Sequence, residues 1–227
     1  MRRHFYPGST MTDGQWAPLL PAAGSTGGRG GRPETGDRRL VLDAIFYLVR
    51  GGIAWRALPA DFPPHQTVYA LFRRWTRARA WCRIYAALRE RARLAAGRGP
   101  VPTAAVIDSQ TVRAADTVPT ASSGYDGGKI KGRKRHVAVD TGGLLLAVVV
   151  TTASLQDRDG GFRNTAALRE AFSTITLVWA DAGYAGWFVR DARKLWDLAV
   201  AIVKRPTRPR ASSCSTAAGS WNAPSSG

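Results

Sequence analysis

Cysteine, histidine and acidic residues are all scarce in this chain, and it has no long apolar run. Two cysteines (Cys82 and Cys214) and three histidines among 227 residues provide neither a disulfide framework nor the ligand set of a zinc finger. The longest apolar run, Leu144 to Val150, falls far short of the ~20 residues that a membrane helix needs. No apolar stretch follows the two N-terminal arginines of MRRHFYPG, so no signal peptide is expected, and the expected location is the cytoplasm. Acids are outnumbered: 33 Lys and Arg against 16 Asp and Glu leave a formal charge of +17. A surplus of that size points to a polyanion as partner, with plainly solvated basicity as the bland alternative. The 44% hydrophobic content excludes a disordered chain and supplies a core for one large domain or two small ones.

Residues 1–36 read as a flexible N-terminal segment ending in the Gly-rich stretch AAGSTGGRGGRPETG, with Trp16, Leu19 and Leu20 as a small anchoring piece before it. Asp37 then caps a helix in which Leu40, Ile45, Leu48 and their neighbours recur at helical spacing until Gly51 and Gly52 end it. After IAWRALP come Pro59, Pro63 and Pro64, which stop the next segment. From Thr67 the pattern predicts a long helix, with Val68, Leu71, Phe72 and Trp75 on one face and Arg73, Arg74 and Arg77 on the other. Its continuation past Trp81 turns Ile84, Ala87 and Leu88 inward and Arg83, Arg89, Arg91 and Arg93 outward. Helix, short helix, turn and basic helix is the order of a helix-turn-helix DNA reader over residues 37–96; a plain bundle with a solvated arginine face has the same signature. Trp55, Trp75 and Trp81 share that helical spacing with other apolar positions and read as core.

Residues 97–103 (GRGPVPT) read as a linker, and beyond them the pattern changes to strands. AAVID is a short buried run ending in an acid, and HVAVDTGGLLLAVVVTTAS is a hairpin turning between Asp140 and Gly143. Helix NTAALREAF, strand TLVWAD, helix WFVRDARKLWDL and strand AVAIVK complete a mixed α/β domain over residues 104–206, its helices covering a sheet. Residues 207–227 show neither helical nor strand periodicity and read as an aberrant, disordered tail.

Asp108 follows Ala105-Val106-Ile107, and Asp181 follows Leu177-Val178-Trp179-Ala180. A carboxylate ending a buried strand is costly without positive charge beside it. Side by side in one sheet, two such carboxylates can hold a pair of divalent cations about 4 Å apart for phosphodiester chemistry, and Mg²⁺ suits an all-oxygen donor set. Alternatively, each Asp only caps the turn that follows. Between them, GGKIKGRKRH gathers Lys129, Lys131, Arg133, Lys134 and Arg135 around glycines, a basic loop suited to a phosphate backbone or simply solvated. Ser109 and His136 are a weak nucleophile-and-base pair, since no G-x-S-x-G turn surrounds Ser109.

Four blocks in order, DRRLVLDAIFYLVRGGIAWRALPADFPPHQTVYALFRRW, AAVIDSQTVRAA, GYDGGKIKGRKRHVAVDTGGLLLAVVVTTASLQDRDG and VWADAGYAG, resemble the DDE transposases of bacterial insertion sequences, in the insertion-sequence-five group. The resemblance runs from about Trp16 to Pro206. It implies a helical DNA-binding domain followed by a ribonuclease-H-like catalytic domain, with Mg²⁺-dependent strand cleavage and transfer at transposon ends. Double-stranded DNA is then the partner and the nucleoid the place of work, and such enzymes usually act as dimers or larger assemblies. Asp108 matches the first catalytic Asp and metal ligand of that family and Asp181 the second; Asp140, in a shared block, reads as a turn residue.

The third acid of the resemblance, a Glu within a late R-R-W-x-V-E-R-x-F block, has no counterpart, because no Asp or Glu follows Asp197. The genetic code offers a reason. Tryptophan has the single codon TGG and asparagine begins AA, so the Trp221–Asn222 junction read one base earlier must spell glutamate. A frame change between Pro206 and Arg210 would restore the block. The expectation is therefore an incomplete catalytic domain, through gene decay or ribosomal frameshifting, that neither cleaves nor joins DNA as this polypeptide. A DNA-binding relic or inhibitor of transposition is the alternative. One sheet face is expected to lie uncovered.

Overall fold

The computed structural model describes residues 5–19 and 37–203; Leu20 and the expected tail lie outside them. The first part is helical. Thr12 and Gln15 form a capping box that starts α1 (Asp13–Trp16), and the backbone N–H of Met11 donates to the buried Asp43 carboxylate at 3.0 Å. That bond seats the N-terminal segment on α2 (Arg38–Gly51). Asp37 caps α2, accepting from the N–H groups of Arg39 and Leu40, and Gly52 ends it at φ +60°, where a side chain would be strained. Val41, Leu42 and Ile45 of α2 meet Val68, Leu71 and Trp75 of α3 (His65–Arg77) in one core, with Leu19 and partly buried Trp16, Trp55 and Trp81 against it.

The long helix expected from Thr67 is two. α3 stops at Arg77, Arg79 takes a left-handed conformation at φ +52°, and α4 (Ala80–Ala95) sets off in a new direction. The break lets Trp81 fold back onto Phe72 and Trp75, with ring centroids 5.7 and 5.6 Å apart, an aromatic gain that offsets a mildly strained residue. Two residues of α4 also reverse their expected sides: Leu88 is exposed, and Arg93 is buried. Helical spacing is right there, but the sheet, invisible to a local pattern, covers the side of α4 that Arg93 occupies.

The second part is a six-stranded mixed sheet in the order β2-β3-β1-β5-β6, with β4 also paired to β3. Its strands are β1 (Ala104–Arg113), β2 (Gly124–Tyr125), β3 (Lys131–Asp140), β4 (Leu145–Thr152), β5 (Leu177–Asp181) and β6 (Ala199–Val203). β1 runs antiparallel to β3 and parallel to β5, which is parallel to β6. Helices α5 (Asp157–Ala171) and α6 (Trp187–Trp196) supply the two parallel crossovers. Leu168, Phe188 and Ala192 of these helices pack with Ala105, Ile107, Ala138, Val178 and Ala180. This is the mixed α/β, ribonuclease-H-like architecture expected, preceded by a helical region.

Three elements begin or end elsewhere than expected. β1 continues five residues beyond Asp108, because the polar-alternating SQTVR stretch pairs with β3. The supposed basic loop is largely strand: β3 starts at Lys131, its arginines exposed on one face while Lys134 and His136 point to the other. α5 starts at Asp157 rather than near Asn164, through two glycines that are poor helix formers. Those glycines are required by contact: a Cβ at Gly160 would lie 2.0 Å from the His136 ring, and one at Gly161 2.3 Å from Tyr184.

Candidate functional site

The β1–β5 ladder pairs Ala104 with Leu177, Ala105 with Val178 and Val106 with Trp179. Two positions further along each strand stand Asp108 and Asp181. Strand alternation puts both on the face opposite to the helix-covered Ala105, Ile107, Val178 and Ala180, and both are exposed. Asp108 is thus not a strand-end residue; it sits where β1 outlives its parallel partner. Its Oδ1 accepts from the Ser109 N–H at 2.7 Å, and Asp181 Oδ1 accepts from the Gly183 N–H at 2.9 Å. Asp181 therefore does cap its turn, and the second oxygen of each carboxylate has no hydrogen-bond partner among the described residues. Mg²⁺ keeps several waters and needs only one or two carboxylates beside a phosphate. Two exposed aspartates with no ion-pair partner among the described residues fit such an ion, whereas no group of three or more His, Cys, Asp or Glu among those residues forms a metal cage.

The face that carries these aspartates is apolar around them. A groove there is lined by Val106, Asp108, Gln110, Val137 and Val139. Val112, Val148, Val150 and Val203 are exposed on the strands, and among the described residues both helices that cover the sheet lie on its other side.

Sequence reasoning misses Asp157, the first residue of α5. Its carboxylate accepts from the Ser109 hydroxyl at 2.7 Å and pairs with Lys134 Nζ at 2.9 Å. Burial works against its charge, but the hydrogen bonds from Lys134 and Ser109 prevail and hold it below the usual carboxylate range. The signal for it lay in the run Gln156-Asp157-Arg158-Asp159-Gly160-Gly161, where paired glycines beside an acid mark a close backbone approach. Tyr184 is buried beside the same group, and its hydroxyl has no hydrogen-bond partner among the described residues. Burial pushes that hydroxyl above the usual tyrosine range; nearby Ser109 opposes the shift, and the charges of Asp157, Asp108 and Asp181 add to it.

Ser109 and His136 face each other across β1 and β3, but they do not form a nucleophile and base. The serine hydroxyl is committed to Asp157, and His136 Nε2 pairs with Thr151 Oγ1 at 3.1 Å, buried beneath Gly160. Burial first, then the charge of Lys134, lowers the His136 pKa. Asp140 is the turn residue expected: its Oδ1 accepts from the N–H groups of Gly142 and Leu144 at 2.8 and 2.9 Å.

The basic residues fall into three settings. Lys129, at φ +61°, is exposed in the turn before β3, and Lys131 is half-buried. Arg133 and Arg135 are exposed on the face that carries Asp108, Arg135 donating to Gln110 at 2.8 Å and Arg133 to the Ser122 carbonyl at 2.9 Å. Lys134 points the other way, is 8% exposed, and is engaged by Asp157 and the Leu155 carbonyl. Arg73, Arg74 and Arg77 are exposed on α3 and line a groove with Ala70 and Ala78 that contains no residue of the aspartate site.

Residues 11–85 match a family model described as a transposase of the IS4/5 family, and residues 99–212 match one described as a transposase DDE domain. The second match alone spans half of the chain. No curated protein and no solved structure matches it.

Proposed function

This chain belongs to the DDE transposases of the IS4/5 family, and on that premise we propose that it binds transposon-end DNA and carries, in Asp108 and Asp181, two ligands for Mg²⁺-dependent strand cleavage and transfer. Transposition is the work of the family, with DNA as partner and divalent cations as cofactor. The observation that carries the finer reading is the arrival of both aspartates on one exposed sheet face, just past the last pairs of the β1–β5 ladder. A bound divalent cation supplies electrostatic stabilisation of phosphodiester oxygens. Asp108 and Asp181 would hold it, each oriented by one backbone N–H. Arg133 and Arg135 lie on the same face and would draw the phosphate backbone towards it. Lys129 and Lys131 at the start of β3 extend that positive surface, and Arg73, Arg74 and Arg77 would contact duplex DNA from α3.

We read the chemistry as impaired in this polypeptide, because residues 198–227 carry no acid to serve as the third ligand. Losing a carboxylate from such a site costs orders of magnitude in rate. No described helix is long and apolar enough to cross a membrane. A second reading, a DNA-binding relic or inhibitor of transposition without catalysis, is favoured by the same absent acid and by the exposed valines around Asp108.

The test incubates the purified chain with labelled duplexes carrying the terminal inverted repeats, with and without Mg²⁺. Salt-dependent binding with little or no nicking is expected. Rapid Mg²⁺-dependent cleavage lost on Asp108→Ala would overturn the impairment, and cleavage indifferent to Asp108→Ala and Asp181→Ala would overturn the site.

A further inference from the structure

Asp157 lies behind Asp108, across Ser109, and beside the turn that follows Asp181. The Ser109 residue is clamped between two aspartates: its hydroxyl donates to Asp157 at 2.7 Å, and its backbone N–H donates to Asp108 at 2.7 Å. On the other strand, the Gly183 N–H holds Asp181 Oδ1 at 2.9 Å. A Cβ placed on Gly183 would lie 3.0 Å from that same oxygen and 3.8 Å from Asp157 Oδ2, so Asp157 stands beside the turn that orients Asp181. Lys134, 8% exposed and anchored to the Leu155 carbonyl, fixes the Asp157 carboxylate from the third side. The close seating of α5 that brings Asp157 here depends on Gly160 and Gly161.

We propose that Asp157 is a positioning residue of the cation site, fixing the direction of the Asp108 carboxylate through Ser109. The inference rests on the reading of Asp108 and Asp181 as divalent-cation ligands. Lys134 offsets the charge of Asp157, which keeps this third carboxylate a support rather than a competing ligand. Groups that orient metal ligands from outside the coordination shell typically contribute a factor of about ten to a hundred in affinity.

The test uses the full chain with Mn²⁺ as probe, free Mn²⁺ being read by electron spin resonance and thermal unfolding being recorded for every variant. Asp108→Ala and Asp181→Ala should abolish binding. Asp157→Ala and Ser109→Ala should each weaken it by about ten-fold or more, while Asp157→Asn, which keeps an acceptor for the serine hydroxyl, should recover most of it. Lower unfolding temperatures with unchanged Mn²⁺ affinity in Asp157→Ala and Ser109→Ala would reduce Asp157 to a structural role and overturn the proposal. Loss in Asp157→Asn as complete as in Asp157→Ala would also overturn it, by making the carboxylate itself a ligand. Should Asp157→Ala fail to fold, unchanged affinity in Ser109→Ala overturns the proposal alone. Mn²⁺ binding that is absent from the unaltered chain, or indifferent to Asp108→Ala and Asp181→Ala, would bring down the two-aspartate reading and this inference with it.

Discussion

Arg93 of α4 and Asp140 of the β3–β4 turn form a buried ion pair that ties the helical region to the sheet. Arg93 is 7% and Asp140 1% exposed. The remaining donors of Arg93 reach the carbonyls of Gly99 and Val101, at 2.8 and 3.4 Å, so the segment between α4 and β1 is bound by the same side chain. Around this pair the Tyr85 hydroxyl accepts from the Leu145 N–H at 2.6 Å, and the Arg89 guanidinium lies 4.7 Å from the centre of the Phe172 ring. Burial disfavours the Asp140 charge, yet two turn N–H groups and Arg93 overcome it and keep its pKa below the usual carboxylate range.

Breaking that pair from one side strands a charge in the interior. Arg93→Met and Asp140→Ala should each destabilise the chain by about 3–5 kcal/mol, measured by urea denaturation at neutral pH. A change below about 1 kcal/mol, the range of an exposed pair, would mean that the interface is wet and the pair solvated.

The glycines of α5 give a sharper steric expectation. In Gly160→Ala the new methyl meets the buried His136 ring, which has no room to retreat. The helix must lift, at about 1–3 kcal/mol, seen as a lower midpoint of thermal unfolding. Gly14→Ala, where nothing stands within 4 Å, should leave stability unchanged or slightly raised and serves as the control.

Stability should fall on mild acidification. His136 has its pKa lowered in the folded state by burial and by Lys134, so the folded chain resists a proton that the unfolded chain accepts near the ordinary value of 6.5. Stability is therefore fully present above that value and declines as the pH drops through it towards the folded pKa. Asp157 and Asp140, both lowered, add a second loss at more acid pH, below the ordinary carboxylate value of 3.8. Unfolding free energies between pH 8 and 3 check this; His136→Gln should flatten the first decline and leave the second.

The arginines of α3 and β3 should separate by salt dependence if they contact phosphates. Arg73→Ala and Arg77→Ala should each weaken DNA binding with little regard to sequence and lower the salt slope by about 1. Lys134→Met should leave that slope unchanged, because its ammonium is held by Asp157 and the Leu155 carbonyl. Fluorescence anisotropy across a salt series distinguishes these outcomes.

Local chemistry was legible where it is governed by neighbours in the chain. Asp37 and Gly52 bound their helix, the turn from Asp140 to Gly143 closes its hairpin, and Val68, Leu71 and Trp75 face inward as their spacing requires. The first half of β3, Lys131 to Arg135, was hidden because its exposed face carries Arg133 and Arg135 and its covered face carries Lys134, so no apolar alternation announces it, whereas His136 to Asp140 read as strand. The start of α5 was hidden by glycines whose purpose is a contact with residues distant in the chain.

The amino-acid order alone determined the succession of helices and strands apart from the break at Arg79 and the short β2, together with the two acids after apolar runs and the excess of positive charge. Those follow from short-range spacing and composition. Only the folded chain decided which side of the sheet each charged group occupies: Asp108 and Arg135 on the exposed side, Lys134 on the covered one, Arg93 buried against Asp140 and Asp157 behind Ser109. A strand turns successive side chains to opposite faces, but which face is covered depends on where the crossover helices land, and that is fixed by contacts far apart in sequence.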